Sequence, residues 1–197
     1  MKSNYLSDRL VNLFVSKARV KVLAYIFLKP QEPFYLRKIS RTTECNVNSI
    51  VRELKRLEKL GLLFSKATAT KRLYYLNPDF PFLHEIRTIF HKELGLGGQL
   101  LSLKDHIGNI DLMLLTKTFI EGKISSPQDI DLLVVGEPDI RMIEVCVQNA
   151  QEISEKEINY MILNQQDYQM RMRRRDQTIL KAFSEGYIII WQSQNIN

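Results

Sequence analysis

The sequence predicts an α+β protein with two folded parts and a helical segment between them. Its 197 residues are enough for two small domains of about 80–120 residues each. Apolar residues recur at helical spacing through most of the first part, and short apolar strands alternate with helical stretches in the last. We therefore predict an N-terminal domain over 1–79, a helical connector over 80–108 and a C-terminal domain over 109–197.

The composition is typical of a soluble globular protein, with 45% hydrophobic and 25% charged residues. No apolar run approaches the roughly 18–20 residues of a membrane span, and the N-terminal stretch lacks the pattern of a secretory signal. Cys45 and Cys146 lie far apart and show no metal-ligand spacing, which fits a reducing compartment. These features predict a cytoplasmic protein with no membrane partner.

The net charge of +6 is unevenly distributed along the chain. Residues 1–76 hold 16 Lys and Arg against 5 Asp and Glu, a net charge of +11. The remainder holds 12 Lys and Arg against 17 Asp and Glu, a net charge of −5. This asymmetry indicates two domains with different partners, and the basic one is a candidate for binding nucleic acid or another anionic surface.

The basic part predicts a series of helices followed by a hairpin. An amphipathic pattern over 6–29 is interrupted near Ser16, which can cap a second helix that ends at Pro30. A short extended piece, a helix over Leu36–Thr43, a turn at 44–46 and a helix over 46–60 ending at Gly61 follow. Residues 62–65 and 73–77 are predicted as two strands joined by a basic loop.

Helix, short turn, helix and basic hairpin, in this order, are the arrangement of a winged helix-turn-helix. The second helix of such a unit enters the major groove of DNA, and its N-terminal polar residues reach base edges. We expect four polar residues to face the groove: Asn46, Asn48, Ser49 and Arg52. Basic residues of the helix and hairpin are expected to contact phosphates: Lys55, Arg56, Lys66, Lys71 and Arg72.

The string SIVRELKRLEKLGLL and the hairpin that ends in RLYYLNPD carry a resemblance to a known family. Over residues 10–79 the chain resembles the winged-helix domains of bacterial and archaeal transcriptional regulators. The resemblance implies binding of double-stranded DNA, and because two-fold DNA readers usually dimerise, we expect a homodimer. The alternative is a winged helix that contacts protein instead of DNA.

The segment 80–108 predicts two helices with a bend between them. Residues 82–94 and 99–107 show amphipathic patterns, and Gly95–Gly98 would allow the bend. The segment is interpreted as a connector or as a dimerisation element. His84 and His91 lie seven residues apart and lack the i, i+3 or i+4 spacing of metal ligands on a helix, which is more typical of packing or surface residues than of a metal site.

The acidic part predicts four strands and three helices. The strands are expected at 110–115, 129–135, 158–163 and 187–191, and the helices at 140–151, 165–175 and 177–183. Asp129 and Asp131 would point the same way on a strand, because side chains alternate there. Two neighbouring carboxylates can share a Mg²⁺ ion that binds nucleotide phosphates.

The Asp-Ile-Asp string resembles the nucleotidyltransferase superfamily that includes the minimal nucleotidyltransferases and kanamycin nucleotidyltransferase. The resemblance implies a Gly-Ser turn that grips a triphosphate, an Asp-x-Asp pair that binds the metals and a third carboxylate on a later strand. Regulators that join a winged helix to such a domain form a recognisable group, and the chain resembles them over nearly its whole length.

Several positions depart from this pattern. The Gly-Ser pair falls on Lys117 and Thr118, and the family's usual arginine falls on Glu121, whereas Gly122 is retained. On the third strand, residues 159–161 offer no carboxylate, and Asp167 follows only later. We therefore expect an inactive domain without a cofactor, in which Asp129 and Asp131 are vestigial and Thr118 and Gly122 are the candidates for nucleotide binding. Mg²⁺ at Asp129 and Asp131 is expected only if the site is active.

The sequence thus favours a DNA-binding transcriptional regulator whose degenerate transferase-like domain serves dimerisation, ligand sensing or partner binding. The alternatives are a Mg²⁺-dependent nucleotidyltransferase and an antitoxin-type interaction protein that binds a protein partner through its C-terminal domain. The basic run at 171–175 is compatible with a solvated helix face, with DNA backbone or with carboxylates of a partner.

Overall fold

The computed structural model describes residues 6–29, 33–123 and 125–194. These residues form ten helices and two small sheets, which confirms the predicted α+β class. The chain divides into two compact units, Met1–Leu94 and Gly95–Asn197. No helix within the described residues is both long and apolar enough to cross a bilayer.

The N-terminal unit contains five helices and a two-stranded sheet among its described residues. Their bounds are α1 (Asp8–Phe14), α2 (Lys17–Leu28), α3 (Leu36–Thr43), α4 (Val47–Leu60), β1 (Leu63–Ala67), β2 (Arg72–Leu76) and α5 (Leu83–Glu93).

The break between α1 and α2 lies where the sequence predicts it. Val15 takes a left-handed conformation with φ of 58°, and the Ser16 side chain accepts a hydrogen bond from the backbone N–H of Arg19. The serine thereby satisfies one of the free N–H groups at the start of α2. The expected stop at Pro30 lies outside the described residues.

Helix α2 forms the centre of the N-terminal unit. All residues from Val22 to Leu28 are buried, and α1, α3, α4 and α5 each pack against this helix. A helical segment that is apolar on every side, as residues 22–28 are, is enclosed by neighbouring elements. Lys21 Nζ donates to the carbonyl oxygen of Thr43 at 2.9 Å, which connects α2 to the end of α3.

The hairpin follows α4 through Gly61, which adopts a φ of 85° and leaves the helix in a left-handed turn. Strands β1 and β2 pair antiparallel, with Leu63 opposite Leu76 and Ala67 opposite Arg72. Phe34 makes an isolated antiparallel bridge to Tyr74 and is completely buried. The extended piece before α3 is therefore attached to the hairpin.

The C-terminal unit is a mixed four-stranded sheet with helices on both faces. Its elements are α6 (Gly95–Leu103), β3 (Gly108–Thr116), α7 (Lys117–Ile120), β4 (Leu132–Pro138), α8 (Ile140–Ser154), β5 (Tyr160–Leu163), α9 (Gln165–Arg173), α10 (Gln177–Ser184) and β6 (Tyr187–Gln192). The strand order is β5-β4-β3-β6, with β4 and β5 parallel and the other neighbours antiparallel.

Alternating residues of the sheet point to opposite faces and belong to two separate apolar clusters. Leu132 and Val134 of β4 pack with residues of α6 and α8. Leu133 and Val135, on the opposite face, pack with Ile179 and Ala182 of α10. The central strands are therefore buried on both sides, which explains their nearly continuous apolar sequence.

Two local expectations are wrong. Gly95–Gly98 form the first turn of α6 rather than a bend, because Leu96 and Leu100 are buried in the C-terminal unit and hold the helix there. Strand β4, predicted over 129–135, begins at Leu132 and not at Asp129, because residues 126–129 form a turn in which Asp129 N–H donates to the Ser126 carbonyl. The four-residue helix α7 was not predicted, since it is too short to show a period.

The segment 80–108 is divided between the two units. Its first helix, α5, packs on α2 in the N-terminal unit. Its second helix, α6, packs on α8 in the C-terminal unit, and Ile107 is completely buried there.

Candidate functional site

The start of α4 presents a polar surface in the N-terminal unit. Asn46 caps the helix, and its Oδ1 atom accepts a hydrogen bond from the Asn48 backbone N–H at 2.9 Å. Asn46, Asn48 and Arg52 are exposed and Ser49 is half-buried, whereas the opposite side of the helix is buried through Ile50, Leu54 and Leu57. The four groove-facing candidates therefore lie together on the side of α4 that faces solvent.

The guanidinium group of Arg52 is held against the same helix. Its Nη2 atom donates to Ser49 Oγ at 3.3 Å. Ser49 lies one turn before Arg52, so the contact directs the arginine side chain toward the N-terminal end of α4.

The two other basic candidates on α4 differ in their surroundings. Lys55 is exposed. Arg56 forms an ion pair with Glu53 at 3.0 Å, and Glu53, only 4% exposed, also accepts hydrogen bonds from Arg19 at 2.9 Å and from Ser16 at 3.2 Å. Arg56 thus belongs to a network that joins α4 to the start of α2, although its own side chain stays 63% exposed.

The basic residues of the hairpin are exposed and each has a neighbour that positions it. Lys71 Nζ lies 4.6 Å from the ring centroid of Tyr35, the residue that precedes α3. Arg72 Nη1 donates to Ser65 Oγ at 3.3 Å. Thr68 closes the tip, because its N–H and its hydroxyl both donate to the Lys71 carbonyl.

Sequence reasoning missed an aromatic pair on the outer side of the hairpin. Phe64 and Tyr75 stack with ring centroids 5.2 Å apart and an interplanar angle of 11°. Phe64 is 41% exposed, and Lys66 Nζ lies 5.8 Å from the Tyr75 ring. The alternation of β1 and β2 contained the signal, since Phe64 and Tyr75 are cross-strand partners. Arg37 and Arg41, exposed on α3, were also left out of the predicted set.

Asp129 of the C-terminal unit is neutralised by a lysine. Its Oδ1 atom lies 2.5 Å from Lys181 Nζ on α10, and its Oδ2 atom accepts the Ser126 backbone N–H at 2.8 Å. The hydrogen bond from Lys181, followed by that from Ser126, lowers the pKa of Asp129 below its ordinary value. The same contact raises the pKa of Lys181.

Asp131 is buried, and its hydrogen bonds connect the loop before it to the segment that precedes β5. It is 1% exposed, and its carboxylate accepts hydrogen bonds from Ser125 Oγ at 2.5 Å and from the Asn159 backbone N–H at 2.9 Å. Burial raises the pKa of Asp131, and the two hydrogen bonds oppose this rise. Asp129 and Asp131 therefore differ in protonation behaviour, and neither lies on the strand where the sequence placed them.

Thr118 and Gly122, the nucleotide-binding candidates, lie at the two ends of α7. Thr118 Oγ1 donates to Glu185 Oε2 at 3.2 Å, and Gly122 N–H donates to the Phe119 carbonyl at 2.9 Å in the turn that ends the helix. Thr118, Asp129 and Lys181 border a cavity of about 10 Å³. This volume is close to that of one water molecule and far below that of a nucleotide.

The residues around Asp129 do not fit the Mg²⁺ ion that the resemblance implies. Lys181 already supplies a positive charge to Asp129, and both carboxylate oxygens of Asp131 accept hydrogen bonds from the protein. Residues 159–161 add no carboxylate. Within the described ranges, no group of three or more His, Cys, Asp and Glu residues is arranged to hold a metal.

No protein-family model, curated protein or solved structure matches the chain. Two features of the chain bear on its function: the polar start of α4 with its basic hairpin, and the closed cluster around Asp129.

Proposed function

We propose that the protein is a DNA-binding transcriptional regulator that contacts duplex DNA through a winged helix made of α3, α4 and the β1–β2 hairpin. The observation that carries the proposal is the exposed polar start of α4, followed by an exposed basic hairpin. Both lie in a stretch, residues 1–76, with a net charge of +11. A regulator of this kind acts on chromosomal DNA, so we place it in the cytoplasm.

In this proposal α4 lies in the major groove. Asn48, Ser49 and Arg52 contact base edges, and the Arg52 guanidinium, already directed along the helix by Ser49, is suited to bidentate contact with a guanine. Lys71 and Arg72 on the hairpin contact phosphates, which orients the helix without adding sequence preference. The stacking of Lys71 on Tyr35 connects the hairpin tip to the residue before α3.

For the C-terminal unit we propose a nucleotidyltransferase-like fold that has lost its reaction. The support is the ion pair of Asp129 with Lys181 and the burial of Asp131, which together remove two metal-binding carboxylates. The unit would then serve dimerisation, sensing or partner binding, and a homodimer would contact two half-sites on the DNA.

The proposal is tested by fluorescence anisotropy with duplexes from the region upstream of the protein's own operon. We expect specific duplexes to bind roughly 10³-fold or more tightly than random duplexes of equal length at physiological salt. Equal affinity for both duplexes would contradict a sequence-specific regulator. Equal and undetectable binding at low salt would contradict DNA binding altogether.

Arg52→Ala separates base contact from general attraction. We expect this variant to lose discrimination at one base pair, by about 1–3 kcal/mol, with a smaller loss of affinity for random DNA. Arg141→Ala, which removes an exposed positive charge from α8, is the matched control and should leave discrimination unchanged. An Arg52→Ala variant that keeps full discrimination would remove Arg52 from the base-contacting set.

A further inference from the structure

Helix α9 of the C-terminal unit carries an open concavity bordered by arginine side chains. The α9 surface consists of Gln166, Gln169, Met170, Arg173 and Arg174, which line this concavity of about 360 Å³. We propose that this α9 surface is the docking site for an acidic peptide segment of a partner protein, with an apolar side chain of that segment seated against Met170. The proposal does not depend on DNA binding by the N-terminal unit.

The spacing of these residues places them on one side of the helix. Gln166, Gln169, Met170 and Arg173 follow an i, i+3, i+4, i+7 pattern, which is a single stripe on an α-helix. No residue of α9 is fully buried, and Tyr168, on another side, packs against the apolar cluster between the sheet and α10. The α9 surface therefore faces away from the core.

The arginines of the α9 surface form no ion pair within the part of the chain that the structure describes. Arg171 is paired with Asp176 at 2.9 Å, whereas Arg173, Arg174 and Arg175 have no carboxylate partner within the described residues. These arginines lie in a unit whose residues 95–197 hold 10 Lys and Arg against 14 Asp and Glu. A local positive patch attracts an anionic ligand, and on an otherwise acidic unit it marks where such a ligand would bind.

The backbone keeps the arginines at the end of the helix. Arg175 takes a left-handed conformation with φ of 54°, and the Asp176 N–H donates to the Arg171 carbonyl at 3.0 Å. This tight turn joins α9 directly to α10. The backbone of Arg174 and Arg175 is therefore held in a defined turn, so only their side chains need to be ordered when they bind a ligand.

The apolar component favours a peptide over a nucleic acid. Met170, which lines the concavity, is 40% exposed, and a flexible methionine beside arginine is a composition enriched at protein interfaces. A phosphodiester backbone offers nothing apolar to such a site, and the residues that line the concavity include no aromatic ring on which a base can stack. Carboxylates beside an aliphatic side chain satisfy both components.

The test uses the full chain and three fluorescein-labelled probes in anisotropy titrations. The first is a 12-residue peptide of Glu with two Leu four positions apart, the second has both Leu replaced by Ser, and the third is a 12-nucleotide thymidine strand. The variants are Arg174→Glu, Met170→Ser and, as a matched charge reversal on an exposed residue of α8, Arg141→Glu.

We expect the Leu-containing peptide to bind. Arg174→Glu should lower the affinity for this peptide about tenfold, because an attractive charge contact becomes repulsive. Arg141→Glu should change the affinity by less than about twofold, since rim charges far from a site contribute little. The Ser-containing peptide should bind more weakly than the Leu-containing one, and Met170→Ser should remove that difference.

Three results would overturn the proposal. The first is the absence of saturable binding by the Leu-containing peptide. The second is an equal loss in Arg174→Glu and Arg141→Glu, which indicates general charge attraction. The third is a loss of affinity for the thymidine strand in Arg174→Glu without a loss of affinity for the peptide, which would assign the surface to nucleic acid. Failure of the upstream duplex to bind would contradict the regulator and leave the α9 surface unaffected.

Discussion

Asp129 and Asp131 show how two like residues acquire opposite properties within three positions. Asp129 meets an ammonium and a backbone N–H, and its pKa is lowered. Asp131 is buried, and its pKa is raised. A pair that would share a metal ion needs both carboxylates ionised and open to the same space. Here one is neutralised by Lys181 and the other is an internal hydrogen-bond acceptor.

The Asp129 titration tests this assignment. Because its folded pKa is lowered, pairing with Lys181 stabilises the fold above the ordinary aspartate value of about 3.9. That stability is lost as the pH falls through the lower folded pKa. Lys181→Met should raise the Asp129 midpoint toward the ordinary value, as followed by the carboxyl carbon shift in NMR.

Lys123→Met is the control for Asp129, since Lys123 pairs with Glu121 at 2.6 Å instead. It removes the same charge and should leave the Asp129 midpoint in place. An unchanged midpoint in Lys181→Met would show that Ser126 alone lowers the pKa of Asp129.

A glycine allows strands β3 and β4 to pair closely. Gly136 of β4 lies opposite Ile110, where the register of β3 shifts by one residue. Its φ is 137°, and an added Cβ would lie 2.4 Å from the Asn109 carbonyl oxygen and 3.0 Å from Ile110 Cα. Both neighbours are backbone atoms of the paired strand, so they cannot move aside independently.

We expect Gly136→Ala to lower the free energy of unfolding by about 3 kcal/mol or more, since backbone strain and a clash add. Gly186→Ala is the comparison: its φ of 100° is also unfavourable, but the nearest atom to an added Cβ is Lys117 Cδ at 3.4 Å. Its cost should be about 1–2 kcal/mol. Urea unfolding followed by the fluorescence of Trp191, the sole tryptophan, measures the free energy of unfolding of both variants. Equal decreases in the two variants would contradict the steric argument.

The helices of the N-terminal unit were the most predictable elements. Their signals are local: Ser16 caps α2, Gly61 ends α4 and α3 covers the predicted residues 36–43. Strand limits were less accurate. Whether a residue joins a strand depends on its neighbour across the sheet, and the turn at 126–129 delays β4 until Leu132.

The uneven charge of the chain predicts a strong salt dependence for the DNA binding proposed above. Each phosphate contact releases counterions, so the logarithm of the affinity should fall linearly with the logarithm of salt concentration, with a slope near −0.9 per contact. Lys71→Ala should reduce the magnitude of this slope by about one and weaken all duplexes alike.

Anisotropy titrations at five salt concentrations measure the slope, with specific and random duplexes side by side. Arg9→Ala is the matched control, because Arg9 is exposed and pairs with Glu93 at 3.1 Å. A slope that Lys71→Ala leaves unchanged would remove the hairpin tip from the proposed DNA-contacting surface.

The α+β class, the order of the helices and the basic character of residues 1–76 could be read from the amino-acid sequence, because helical periods, caps and charges depend on neighbouring residues. The sequence also marked Asp129 and Asp131 as an unusual pair. The surroundings of these two carboxylates depend on tertiary contacts, since Lys181 lies 52 positions from Asp129 and Asn159 lies 28 positions from Asp131. The two carboxylates are satisfied by residues brought to them by the sheet and α10, and no local pattern encodes contacts that form only when distant segments pack.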